Sequence, residues 1–231
     1  DGCDWDKEQT HESLVPYLLE ETYEVIEAIN NNDYIALKEE LGDLLLHIVF
    51  QAELALEKKQ FNIMDSLEEV NKKLISRHPH IFYEKNDSRY KQGNWELSKK
   101  KEKNRKSILD GVPTTMPALL RARRIQEKAS GIGFDWKEIR PVIGKIKEEL
   151  DELEEAISLN TNIDEEFGDL LFSMVNLSRH LNIDPELSLH KAISKFYLRF
   201  IDLEKIVKNK KLDLKTLTLN ELDDIWSKVK K

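Results

Sequence analysis

Cysteine is almost absent: Cys3 is the single one among 231 residues. No disulfide can form within the chain, and no cysteine zinc cluster can be built. Cys3 itself reads as a small packing residue. Glycine and proline are scarce, at eight and six, and β-branched alternation is rare, so the chain reads as mostly helix. Long apolar runs are missing too. The longest, Leu44–Phe50, is interrupted by His47 and is far too short to span a bilayer. No basic-then-apolar leader opens the sequence, which points to the cytoplasm. The chain starts at Asp1 rather than Met, which leaves room for a segment upstream. An excess of positive charge is also lacking. The net charge is −8, which argues against stable nucleic-acid binding. What is present, 40% apolar and 35% charged residues, suits a globular protein with an adequate core.

Several chemistries are excluded by missing motifs. There is no Gly-x-x-x-x-Gly-Lys-Ser/Thr phosphate loop and no Gly-x-Gly-x-x-Gly. His-Glu-x-x-His and Gly-x-Ser-x-Gly are absent as well. A helical di-iron site needs two Glu-x-x-His motifs, and only Glu8-Gln9-Thr10-His11 is found. His78-Pro79-His80 stands at the end of an expected helix and reads as structural.

The chain does carry an internal repeat. Glu20-Glu21-Thr22-Tyr23-Glu24-Val25-Ile26 is echoed by Glu148-Glu149-Leu150-Asp151-Glu152-Leu153-Glu154, an offset of 128 residues. Glu40-Leu41-Gly42-Asp43-Leu44 is echoed by Glu166-Phe167-Gly168-Asp169-Leu170, an offset of 126. Asp4-Trp5 matches Asp135-Trp136, and Leu67…Lys73…Arg77 matches Leu189…Lys195…Arg199. Ordered matches at nearly constant offset mean two copies of one helical module, over residues 1–83 and 118–231. In each copy a first helix carries the Glu-x-x-Glu motif and a polar turn follows. Asp33 and Asp164 are the expected caps of the second helix, which carries Glu-x-x-Asp. A third helix carries Lys-x-x-x-Arg. Residues 84–117 read as a charged linker, with nine basic and three acidic residues in Lys85–Lys106.

The acids sit where acids are unusual. Glu21 and Glu24, like Glu40 and Asp43, are three residues apart and so share a helix face, with Val25, Ile26, Leu41 and Leu44 beside them. Two such helices packed together would bring four carboxylates into one place. Like charges at close range need a cation. A hard divalent ion, Mg²⁺, takes oxygen ligands and shares its shell with phosphate. Lys195 and Arg199, one turn apart, can then face a polyphosphate, and Lys73 and Arg77 can do so in the first copy. A metal- or nucleotide-binding regulatory module without turnover, or a bundle with solvated acidic faces, would carry the same residues. Trp5, Trp136 and Trp226 read as packing residues.

These motifs resemble the MazG family of nucleoside triphosphate pyrophosphohydrolases, in its two-domain bacterial form. The resemblance runs through Gly2–Thr10, Tyr17–Val25, Arg77–Phe82, Gly133-Phe134-Asp135-Trp136, Asp169–Phe172 and Val175–His180. It implies an all-α tandem repeat completed by homodimerisation, and hydrolysis of an NTP or dNTP to the monophosphate and pyrophosphate. It implies Mg²⁺ as cofactor, with Mn²⁺ as a substitute, and a housecleaning or stress role. The C-terminal copy is the active one in that form. There the catalytic residues would be Glu148, Glu149, Glu152, Glu166 and Asp169, with the last four as metal ligands. Lys145, Glu149, Lys195, Arg199 and Trp226 would bind the nucleotide. The first copy keeps Glu20, Glu21, Glu24, Glu40, Asp43, Lys73 and Arg77 as a possible second site.

Overall fold

The computed structural model describes residues 3–83 and 106–230, apart from the side chain of His80. The basic stretch expected as a linker lies outside them from 84 to 105. The chain divides into two compact units, residues 1–92 and 93–231. The described residues are helical, with no strand among them. None of the described helices is long and apolar enough to cross a membrane.

The first unit holds α1 (Asp4–Lys7), α2 (Val15–Asn31), α3 (Tyr34–Glu57), α4 (Ile63–Arg77) and α5 (Pro79–Phe82). Helices α2 and α3 form a tight hairpin. Asn32 ends α2 in the left-handed region, with φ 54°, a conformation that asparagine tolerates better than most residues. Asp33 then caps α3 as expected, its carboxylate accepting from the Ile35 and Ala36 amides at 3.0 Å. Asn62 and Asp65 make a reciprocal capping box at the start of α4. His78 caps the end of that helix, with Nδ1 2.9 Å from the Leu74 carbonyl oxygen. Leu14, Ala28, Ala52, Leu54 and Ala55 form the buried interior.

The second unit holds α6 (Ala118–Ser130), α7 (Ile139–Leu159), α8 (Ile163–His180), α9 (Pro185–Asn209), a short 3₁₀ turn (Leu214–Thr216) and α10 (Leu219–Val229). Helices α7 and α8 repeat the hairpin of α2 and α3, and Asn160 repeats the left-handed stop, with φ 53°. The cap differs from expectation. Asp164 lies inside the first turn of α8, and Asn162, with φ 52° and no side-chain cap, stands at the boundary. Asp164 nevertheless favours that end, where carboxylates offset the positive pole of the helix. Helix α6 lies along α8, and α9 packs on α6 and α10. Leu203, Val207 and Ile225 centre the α9–α10 contact, with Trp226 against them.

Burial is incomplete in both units. Leu41, Leu45 and Ile48 on α3, and Ile193, Phe196 and Leu198 on α9, are each more than half exposed. Cys3 is exposed too, so it does not pack as the sequence suggested. Trp5 meets Tyr17 and Phe50 edge-on.

Candidate active site

On α7 the buried positions Val142, Glu149, Leu153 and Ala156 follow the 3.6-residue period, so Glu149 stands in the apolar stripe that faces α8. It is only 6% exposed. Glu166 and Asp169, one turn apart on α8, meet it there. The three carboxylates can each place an oxygen within 4.8 Å of the others.

Such proximity is unfavourable for bare carboxylates, and one counter-charge is present. The Lys145 ammonium, one turn before Glu149, lies 2.8 Å from it and 2.7 Å from Glu148. The hydrogen bonds to Glu148 and Glu149 hold that ammonium protonated well above its usual range. Glu152 lies outside the close trio and is exposed. Local desolvation raises its carboxyl, as do Glu149, Glu148 and Glu166, against the opposing effect of Lys145. Among the donors of the trio there is no imidazole or thiol. An all-oxygen anionic set of this kind fits a hard divalent cation.

A cavity of about 820 Å³ opens beside these groups. Lys145, Glu149 and Asp169 line one part of it, while Ile125, Phe134, Trp136 and Phe172 make an apolar wall. Ser107, Ile108 and Leu109 add to that wall from before α6. They are held by Lys128, a buried lysine whose Nζ donates to the Ile108 and Asp110 carbonyls at 3.1 and 3.3 Å. The buried Gln126 ties α6 to α8 by donating to the Phe172 carbonyl at 2.8 Å.

The loop carrying Phe134 and Trp136 is anchored from both sides. Gly133, at φ 90°, turns the chain three residues beyond the end of α6 in a conformation natural to glycine. The next residue but one, Asp135, accepts hydrogen bonds from Ser130 of α6 and Arg179 of α8, with His180 Nε2 at 3.2 Å. Burial would raise the Asp135 carboxyl, yet the bonds from Arg179 and Ser130 hold it down at about 2.

The family models supply an independent comparison. The MazG nucleotide pyrophosphohydrolase domain matches twice, over residues 9–82 and 139–205. The chain belongs to the MazG family. It is similar to the nucleoside triphosphate pyrophosphohydrolase/pyrophosphatase MazG of Thermotoga maritima, with 50% identity over all of this chain and 90% of that one. It is also similar to the nucleoside triphosphate pyrophosphohydrolase of Escherichia coli K12, with 41% identity over all of this chain and 91% of the relative. Each family match falls within one copy of the repeat and contains one acidic cluster.

The clusters are not alike within the family frame. In the first copy the close trio is Glu21, Glu24 and Glu40, so Glu24 takes part where its counterpart Glu152 does not. Asp43 stays outside, whereas its counterpart Asp169 is a member. Glu20 is exposed. Desolvation and the neighbouring Glu24 raise the carboxyls of both Glu21 and Glu40. The residue in the register of Lys145 is Tyr17, whose ring lies parallel to that of His47 at 6.5 Å.

The basic pairs lie on other helices than the carboxylates. Lys195 is exposed and Arg199 half-buried on α9, a helix that packs on α6 and α10. Trp226 joins that group, with its ring 5.1 Å from Phe196, and is not among the residues lining the cavity. Lys73 is exposed and Arg77 half-buried on α4. Sequence reasoning missed the wall made by Ser107–Leu109, the buried Gln126 and Lys128, and the clasp on Asp135. The Gly-Phe-Asp-Trp motif was the one available signal for that clasp.

Proposed function

We propose that this chain is a metal-dependent nucleoside triphosphate pyrophosphohydrolase acting on NTPs and dNTPs. The observation that carries the reading is the convergence of Glu149, Glu166 and Asp169 at the edge of an apolar cavity. Like-charged groups placed together beside a cavity of drug-like size are arranged for a ligand that brings positive charge. The names of the two full-length relatives support the same activity.

Glu149, Glu166 and Asp169, with Glu152 one turn along α7, would hold Mg²⁺, or Mn²⁺ in its place. The bound ion would neutralise phosphate charge and orient the triphosphate. The chain's own groups do the rest. With the carboxylates committed to such an ion, Lys145 would offer its ammonium to the phosphates. The Phe134–Trp136–Phe172 wall receives the nucleoside and keeps bulk water from the reacting phosphorus. A water oxygen bonds to the α-phosphorus as the bond to the bridging oxygen breaks. Pyrophosphate leaves with that electron pair, and the water's proton passes to a carboxylate of the cluster. Glu148 holds Lys145 from the solvent side. Lys195, Arg199 and Trp226 would meet the outer phosphates and the base once a second copy covers the exposed apolar faces, in a homodimer. The same reading carries the housecleaning or stress role, in the cytoplasm, that the resemblance implies.

A second reading suits the first copy. Tyr17 replaces the lysine there, so that cluster binds a cation without the ammonium that the second offers to phosphate, and it serves as a supporting or regulatory site. The test is pyrophosphate release from a panel of NTPs and dNTPs with Mg²⁺, comparing the wild type with Glu152→Ala and Glu24→Ala. Loss in Glu152→Ala alone is expected. Loss in both variants would overturn the division of labour, and absence of product from the wild type would overturn the activity.

A further inference from the structure

The substrate cavity has one wall that belongs to neither acidic helix. It is the loop between α6 and α7, which presents Phe134, 82% exposed, and Trp136, 44% exposed, to the cavity. Phe134 is mostly open to solvent and Trp136 nearly half so, which leaves packing to hold this stretch only in part. A loop of this kind samples many positions unless its backbone is tied down. The single polar residue between the two rings supplies the tie. Asp135 is turned inward, its side chain 17% exposed, and binds Ser130 on α6 and Arg179 and His180 on α8. Arg179 is fixed in turn by Asn176, one turn earlier, which accepts at 2.8 Å. The carboxylate thus joins the two helices that flank the cavity to the loop that covers it.

From this geometry we infer that Asp135 is a positioning residue for the nucleoside half of the substrate, acting through Phe134 and Trp136. The inference rests on the activity proposed above. Asp135 touches no phosphate group in this scheme and does not take part in bond breaking. Its removal frees the aromatic wall and weakens contacts made equally in the ground and transition states, the pattern that raises KM while leaving kcat in place. Loosening aromatic faces that stack on a base should raise KM on the order of tenfold.

The experiment compares wild type, Asp135→Asn and Ser130→Ala in pyrophosphate release from an NTP with Mg²⁺. Inorganic triphosphate, which has phosphates and no nucleoside, is added as a competing inhibitor. Asp135→Asn should raise KM for the NTP by about tenfold, keep kcat within about threefold, and leave inhibition by inorganic triphosphate unchanged. Ser130→Ala removes one of the hydrogen bonds and should give a smaller rise of the same kind, which keeps the test valid if the first variant folds poorly. Equal weakening of the NTP and of inorganic triphosphate, or a fall in kcat with KM unchanged, overturns the inference. A wild type that releases no pyrophosphate overturns the activity itself, whereas an active wild type with unaltered KM in both variants overturns the role of Asp135 alone.

Discussion

Replacing Lys145 by Met tests the electrostatic account of the site at one atom. In the metal-free protein the Lys145 ammonium is the cation 2.8 Å from the nearly buried Glu149, whose other close neighbours are the carboxylates of Glu166 and Asp169. Methionine keeps the length and apolar stem of lysine and removes only the charge. Breaking a fully buried pair costs about 3–5 kcal/mol. The Lys145 side chain is 34% exposed, so solvent screening cuts that to about 2 kcal/mol. For a chain of this size the loss lowers Tm by roughly 4–8 °C. Because the ammonium's affinity for its proton is raised in the folded state, its contribution is complete at neutral pH and is lost only as pH climbs through the strongly alkaline range. The assay is thermal unfolding in EDTA and again with saturating Mg²⁺. A bound divalent cation supplies the missing positive charge, so Mg²⁺ should raise Tm more in the variant than in the wild type and close most of the gap. A gap that is absent in EDTA, or that persists undiminished with Mg²⁺, would refute the reasoning.

Three further outcomes are expected. In the first copy, Glu21→Gln should raise Tm in EDTA, because it removes one of three crowded carboxylates, and should reduce the stabilisation that Mg²⁺ confers; differential scanning fluorimetry checks both. Asp33→Ala should destabilise the first unit by about 1 kcal/mol through loss of the α3 cap, measured as a fall in the urea midpoint with unchanged slope. The Asp135 carboxyl, held at about 2 in the folded chain against an unfolded value near 3.8, contributes stability that is full above the unfolded value and drains away as pH falls towards 2. Wild type should therefore lose about 2 kcal/mol relative to Asp135→Asn across that window in acid denaturation.

Much of this molecule is legible in its residues because the module occurs twice. The helical hairpins, the two acidic motifs on facing helices and the Asp33 cap all follow from spacing, since helical period alone puts Glu166 and Asp169 on one face. Where the reading failed, tertiary packing decided. Asp164 and Asn162 are both acceptable caps by type, and only the backbone of the α7–α8 turn selects between them. Glu152 and Asp43 occupy motif positions, yet each stays outside the closest trio of its own copy, which spacing along one helix does not decide. The cavity wall was the least visible part. Ser107–Leu109 lie before the second copy, Gln126 lies in it but upstream of the Asp135-Trp136 match, and a lysine such as Lys128 is ordinarily taken for a surface residue. Lys145 did carry a signal, since a lysine four residues before a glutamate pairs with it across one helical turn.

Lys128 also decides where the second copy can be cut free. Lys128 is 3% exposed, and its ammonium reaches back to the carbonyls of Ile108 and Asp110. A gene fragment starting at Ala118 would encode every residue of the repeat and still strip those two acceptors from a charge in the interior. One starting upstream of Ser107 would retain them. The far end of the stretch that reads as a charged linker is therefore part of the interior of the second unit. Shortening the joint past Ser107 in a fusion or a truncation would remove part of the cavity wall and two acceptors of a buried charge together.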